Sequence, residues 1–147
     1  MGGVAFGGWQ LRMAARNRTT QISLSLMQTL YSRDLIDGVV ALRDVPEGLS
    51  LKQLQEHLGD NWPYAFRAFV TMDGIGLLVF RREIDPGFAD DFFHHTVVTV
   101  WAGMSAAIRD VRAERQDESV GEWLQWLAES QDKLRKNGAR KPAYLSS

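Results

Sequence analysis

Residues 85–111 read DPGFADDFFHHTVVTVWAGMSAAIRDV, the best heptad-like apolar run in the chain. Ala89, Phe93, Val97, Val100, Trp101, Met104, Ile108 and Val111 recur at spacings of three and four, the signature of one apolar helix face. Asp85 before Pro86 supplies a cap followed by a proline in the first turn, where a missing N–H costs nothing. The β-branched run Thr96-Val97-Val98-Thr99-Val100 would suit a strand in isolation. It lies inside the longer helical stripe with no turn residues on either side, so length favours helix.

Outward from this segment the periodicity stays helical. Upstream, Asn61-Trp62-Pro63 opens a helix expected to run to about Glu83 with the stripe Phe66, Phe69, Val70, Leu77 and Phe80. Before it, Ser50 and Gln53 form a capping box for a short helix edged by Leu51, Leu54 and Leu58, and Gly59 ends it. Pro46-Glu47-Gly48 reads as a turn, and Ser32 as the cap of a helix with Leu35, Ile36, Val39 and Val40 on one side. In the first segment Trp9, Met13, Thr20, Leu24, Met27 and Tyr31 form one stripe. Downstream, Ser119 with Glu122 predicts another capping box and a closing helix bearing Val120, Trp123, Leu124, Leu127 and Leu134, ended by Gly138. The fold expected is all-α: an irregular bundle of five or six helices with a long first helix and no β-sheet. The organisation expected is a basic helical arm over residues 1–20, a helical domain over 21–137, and a disordered tail over 138–147.

At 147 residues, 45% hydrophobic and 24% charged, the chain can bury one ordinary core. The absence of cysteine excludes a disulfide framework, a thiolate metal site and a cysteine nucleophile. The formal net charge of −1 conceals a segregation. Four arginines and no acid precede Asp34, and five basic residues and no acid follow Asp132. The middle therefore holds all eighteen acids against eight basic residues, a net −10. Basic ends on an acidic body fit either solvated termini or contact with an anionic surface such as lipid head groups.

No segment reads as a complete membrane span: residues 64–80 contain Arg67 and Asp73, and residues 96–108 are too short. Residues 1–11 (MGGVAFGGWQL) are uncharged and are followed by Arg12, Arg16 and Arg18, with Trp9 near the boundary. This is the pattern of the cytoplasmic end of a membrane helix, at half the necessary length. It matches neither a secretory signal, whose basic residues come first, nor a myristoylation signal, since Phe6 stands where Ser or Thr is required.

Candidate chemistry is sparse. On a helix Asp90 with His94, and Asp91 with His95, each stand one turn apart and form metal-chelating pairs. The two pairs project about 100° apart with no third ligand nearby in sequence. The plainer reading is an exposed helix N-terminus where acids are favoured by the dipole. Asp73 interrupts an apolar stretch where an unpaired charge is costly; the expected role is a structural ion pair with Arg109 or Arg112. Gly74 and Gly76 each cost about 1 kcal/mol in a helix relative to alanine, which predicts close approach of another helix, near Ala102-Gly103 or Ala106-Ala107. Phosphate-binding loops, a nucleophile elbow and the paired-histidine zinc motif are absent from the sequence. The body is too acidic to offer nucleic acid a basic face. No cofactor and no catalytic residue is expected.

The stretches WQLRMAARNRTTQISLSLMQTLYS (9–32), FVTMDGIGLLVFRREID (69–85), DDFFHHTVVTVWAGM (90–104) and EWLQWLAE (122–129) occur in an order that resembles an uncharacterised bacterial family, number 4760 among the domains of unknown function. That resemblance implies an all-helical domain on the cytoplasmic face of a membrane, with no established activity and no catalytic residues. The sequence departs from the pattern by lacking most of the membrane helix, which fits either a soluble member or a true start upstream of Met1. The second leads to the expectation of an in-frame apolar segment before Met1, and a stop codon immediately upstream would end that idea. The function expected is a non-enzymatic interaction or scaffolding domain. It would work through Trp9, Arg12, Arg16 and Arg18 against a membrane surface, a protein partner or a second copy of the chain. The alternative is a metal-binding or enzymatic protein centred on Asp90, Asp91, His94 and His95.

Overall fold

The computed structural model describes residues 3–30 and 32–138. Among them are six α-helices, one 3-10 turn and no strand: α1 (Gly3–Leu30), α2 (Arg33–Arg43), α3 (Leu51–Leu58), the 3-10 turn Gly59–Asn61, α4 (Trp62–Phe80), α5 (Pro86–Arg115) and α6 (Glu122–Lys136). Thr96 to Val100 lie within α5 and are helical. Tyr31 and the tail from residue 139 onward lie outside the described residues, as does the side chain of Thr20.

The helix starts follow the local chemistry in two of four places. Ser50 accepts from Gln53 N at 3.2 Å while the Gln53 side chain accepts from Ser50 N at 2.9 Å, a complete capping box. Asp85 accepts from Phe88 N at 2.9 Å ahead of Pro86. Ser32 occupies the cap position of α2 but makes no side-chain cap bond. At α6 the expected box of Ser119 and Glu122 does not form. Ser119 instead donates its N–H and hydroxyl to Asp117, at 2.9 and 2.6 Å, and Gly121 at φ 67° takes the cap position without a side chain. The Ser119 hydrogen bonds hold the Asp117 carboxyl below its usual range.

α4 is the centre of the bundle, packed against α2, α5 and α6. It buries Ala65, Ala68, Met72, Ile75, Gly76 and Val79, not the aromatic stripe expected from spacing; Phe66, Val70 and Phe80 are about half exposed. Small residues won this competition because they let helix backbones meet. A Cβ at Gly38 of α2 would collide with the Tyr64 carbonyl, and one at Gly76 would collide with the Trp123 carbonyl. Gly76 therefore admits α6, not the Ala102-Gly103 or Ala106-Ala107 segment; Gly103 is packed against Leu42 of α2. Gly74 faces open space.

α5 covers the core as its periodicity predicts, burying Ala89, Phe93, Val97, Val100, Met104 and Ile108. The fully enclosed side chains Leu42, Leu54, Met72, Phe93, Leu124 and Leu127 join five helices in one cluster. Together α3, the 3-10 turn and α4 form a 30-residue helical run, Leu51–Phe80, long and apolar enough to cross a membrane by length and composition alone. The core helix of a soluble protein meets the same criterion, and here Arg67 is ion-paired with Asp34 while one face is buried in the bundle.

Candidate functional site

Helix α1 is the element least absorbed by the core. Its contact with the rest of the bundle is made by Ile22, Leu26 and Leu30, of which Leu26 is buried. These positions follow a spacing of four and lie about 120° around the helix axis from Trp9 and Met13. The stripe expected to pack is thus on the uncovered side: Trp9 is 57% exposed, Met13 39% and Leu24 57%. Arg12 and Arg16 fall beside Trp9 and Met13, at three- and four-residue spacing, and both are exposed. Arg18 does not share that face. With Ile22, Ser25 and Leu26 it borders a shallow cleft closed by Leu78 of α4. The four residues expected as a membrane or interface set are therefore split, three on one side and one on the other.

The carboxylate expected in a structural ion pair has a different task. Asp73 Oδ1 accepts from Leu124 N at 2.9 Å. Leu124 is the third residue of α6, whose own cap position is a glycine, so Asp73 caps α6 from α4. Neither predicted arginine reaches it. Arg112 donates from Nε to the Val120 carbonyl and from a terminal nitrogen to Gln125 Oε1, each at 2.8 Å, closing the α5–α6 turn. Arg109 lies over the Trp101 ring, 5.9 Å from its centre. A helix start without a capping side chain needs an acceptor, and Asp73 on the adjoining helix is that acceptor. Asp110 adds to the Ser50–Gln53 box at the start of α3, accepting from Leu51 N at 3.0 Å.

The Asp-His cluster at the start of α5 divides as the helical projection requires. Asp90 and His94 face inward; Asp91 and His95 are exposed. Asp90 Oδ1 lies 3.1 Å from Arg135 Nε of α6 and 3.5 Å from His94 Nδ1. Gln131, 1% exposed, faces the His94 ring without reaching hydrogen-bond geometry, leaving its amide and His94 Nδ1 buried without a hydrogen-bond partner among the described residues. Burial, then the Arg135 charge, holds His94 below its ordinary value of 6.5, against the opposing pull of Asp90. The cation facing Asp90 is therefore an arginine carried by the protein. Among the described residues no group of three or more acids and histidines converges on one point. Arg135 and Gln131 were not legible as members of this seam, because only the packing of α6 on α5 brings them there.

No family model, curated protein or solved structure matches the chain. The class defined by the structure is an all-α helical bundle whose first helix leaves an apolar, arginine-bordered face uncovered.

Proposed function

We propose that the protein is a non-enzymatic interaction domain that docks on the anionic inner face of a cytoplasmic membrane through α1. The observation that carries this reading is the uncovered stripe of Trp9, Met13 and Leu24 with Arg12 and Arg16 beside it. A helix lying in a membrane interface buries one apolar face and sets cations at the head groups. Each arginine near an anionic surface is worth about 1 kcal/mol. The acidic body, net −10 over residues 34–132, favours an orientation with the basic arm toward the lipid.

The test is co-sedimentation of the full chain with vesicles. Binding to vesicles containing phosphatidylglycerol should exceed binding to pure phosphatidylcholine and fall with salt. Replacing Arg12 and Arg16 together by glutamine should weaken it about 30-fold. Equal binding to both vesicle types, or binding indifferent to this double substitution, would refute the reading.

The metal-binding alternative has one observation in its favour, the proximity of Asp90 and His94, and Arg135 on the same carboxylate against it. A specific site would raise the melting temperature on adding zinc, manganese or iron by mass action.

A further inference from the structure

Beside the N-terminal seam of α5, the α4–α5 turn and α6 border a cleft of about 310 Å³. Its floor is Val79 and Leu127, each 1% exposed. Trp126 forms one wall, its ring held edge-on to Phe80 with centres 5.3 Å apart. Two cations line the cleft, Arg82 and Lys133, and no carboxylate does. Neither cation enters an ion pair among the described residues. In a body carrying ten excess negative charges, two uncompensated cations above an apolar floor make a local site of opposite sign. Of the acids near Lys133 on α6, Asp132 is paired with Lys136 and Glu129 accepts from the Gln125 amide.

One further detail points the same way. Arg82 sits at φ 59°, in the left-handed region where a side chain is strained and glycine is not. The turn thus retains a long cationic side chain at a position where glycine would be the more stable choice.

We propose that this cleft binds a small amphipathic anion, a carboxylate with an aromatic or short aliphatic body. The charge is met by Arg82 and Lys133, and the body by Trp126, Leu127 and Val79. The volume is at the lower end of small-molecule pockets, which suits a compact guest.

Titration calorimetry of the full chain with 2-naphthoate, and with neutral 2-naphthamide as its control, tests this. The expected result is saturable, salt-sensitive binding of the acid and much weaker binding of the amide. Arg82→Gly and Lys133→Gln should each weaken the acid by about tenfold or more, the size of a lost hydrogen bond to a charged group. Arg82→Gly should melt at or above the temperature of the parent protein, so its lost affinity cannot be ascribed to unfolding. Equal affinity for acid and amide, unchanged affinity in either variant, or no saturation at millimolar ligand would overturn the proposal. So would a dependence on Arg82 and Lys133 that appears with phosphatidylglycerol vesicles and not with naphthoate, which would make the cleft a head-group contact. Because α1 contributes nothing to the cleft, these outcomes are independent of the vesicle test of the first helix.

Discussion

Helices α1 and α5 are almost the same length, 28 and 30 residues, and both carry an apolar stripe, yet they meet opposite fates. α5 buries nine residues; α1 leaves Trp9, Met13 and Leu24 exposed and attaches by a different side, through Ile22, Leu26 and Leu30. Periodicity alone therefore identifies a face able to be buried, not the partner that buries it. What separates the two is surroundings. α5 has α2, α3, α4 and α6 against it, whereas the first half of α1 is largely exposed, with Gly7 and Gly8 facing open space among the described residues. Isolated helical segments of that kind are marginal in water, so α1 is the part of the molecule that stands to gain most from an external surface.

The contrast can be broken most directly by truncation. Phe93→Ala in α5 should cost about 3–5 kcal/mol in a urea titration, since Phe93 is fully enclosed. Leu24→Ala in α1 should stay within about 0.5 kcal/mol, and a large loss there would mean that the outward stripe is covered in solution. A second effect tests whether backbone contact sets which faces are covered. Gly76→Leu should destabilise by about 1–3 kcal/mol, toward the upper end because the new side chain meets the Trp123 backbone. Gly74→Ala, two residues away and facing open space, should gain up to about 1 kcal/mol.

The interior acids give a third and smaller effect. Asp73→Ala should cost about 1–2 kcal/mol and raise hydrogen exchange at the start of α6. Exchange unchanged at Leu124 would contradict the cross-helix cap. The smallest effect concerns the polar seam of α5. His94 is held below its ordinary value in the folded state, so the neutral ring is favoured by folding. Its contribution is fully present above the unfolded value of 6.5 and is lost as pH falls through the depressed folded value. The urea midpoint should therefore drop between neutral pH and pH 5 more in the parent protein than in His94→Gln. Identical pH profiles would remove His94 from the seam's energetics.

Much of the architecture was readable because its causes are local. The stripe of α5, the Ser50–Gln53 box and the Asp85-Pro86 start depend on residues within a turn or two of one another. The buried face of α4 was not readable. Spacing pointed to Phe66, Val70 and Phe80, but close helix approach selected the side bearing Ala65, Ala68 and Gly76. The role of Asp73 was misread for a related reason. An isolated charge in an apolar helix signals a buried partner, and nothing in its neighbourhood announces that the partner is a backbone N–H of a helix fifty-one positions downstream.

Sequence alone carries the all-α class of the fold, the starts of several helices, and a charge that is basic at the ends and acidic between. Those properties follow from periodicity, capping and composition, which act over a few residues or need no structure at all. Only the tertiary structure decided which apolar faces are buried, which helix start each interior carboxylate serves, and that Arg82 and Lys133 share a cleft without an acid. Each of those outcomes depends on which backbones come close together, and that is settled by the small residues of one helix meeting the surface of another.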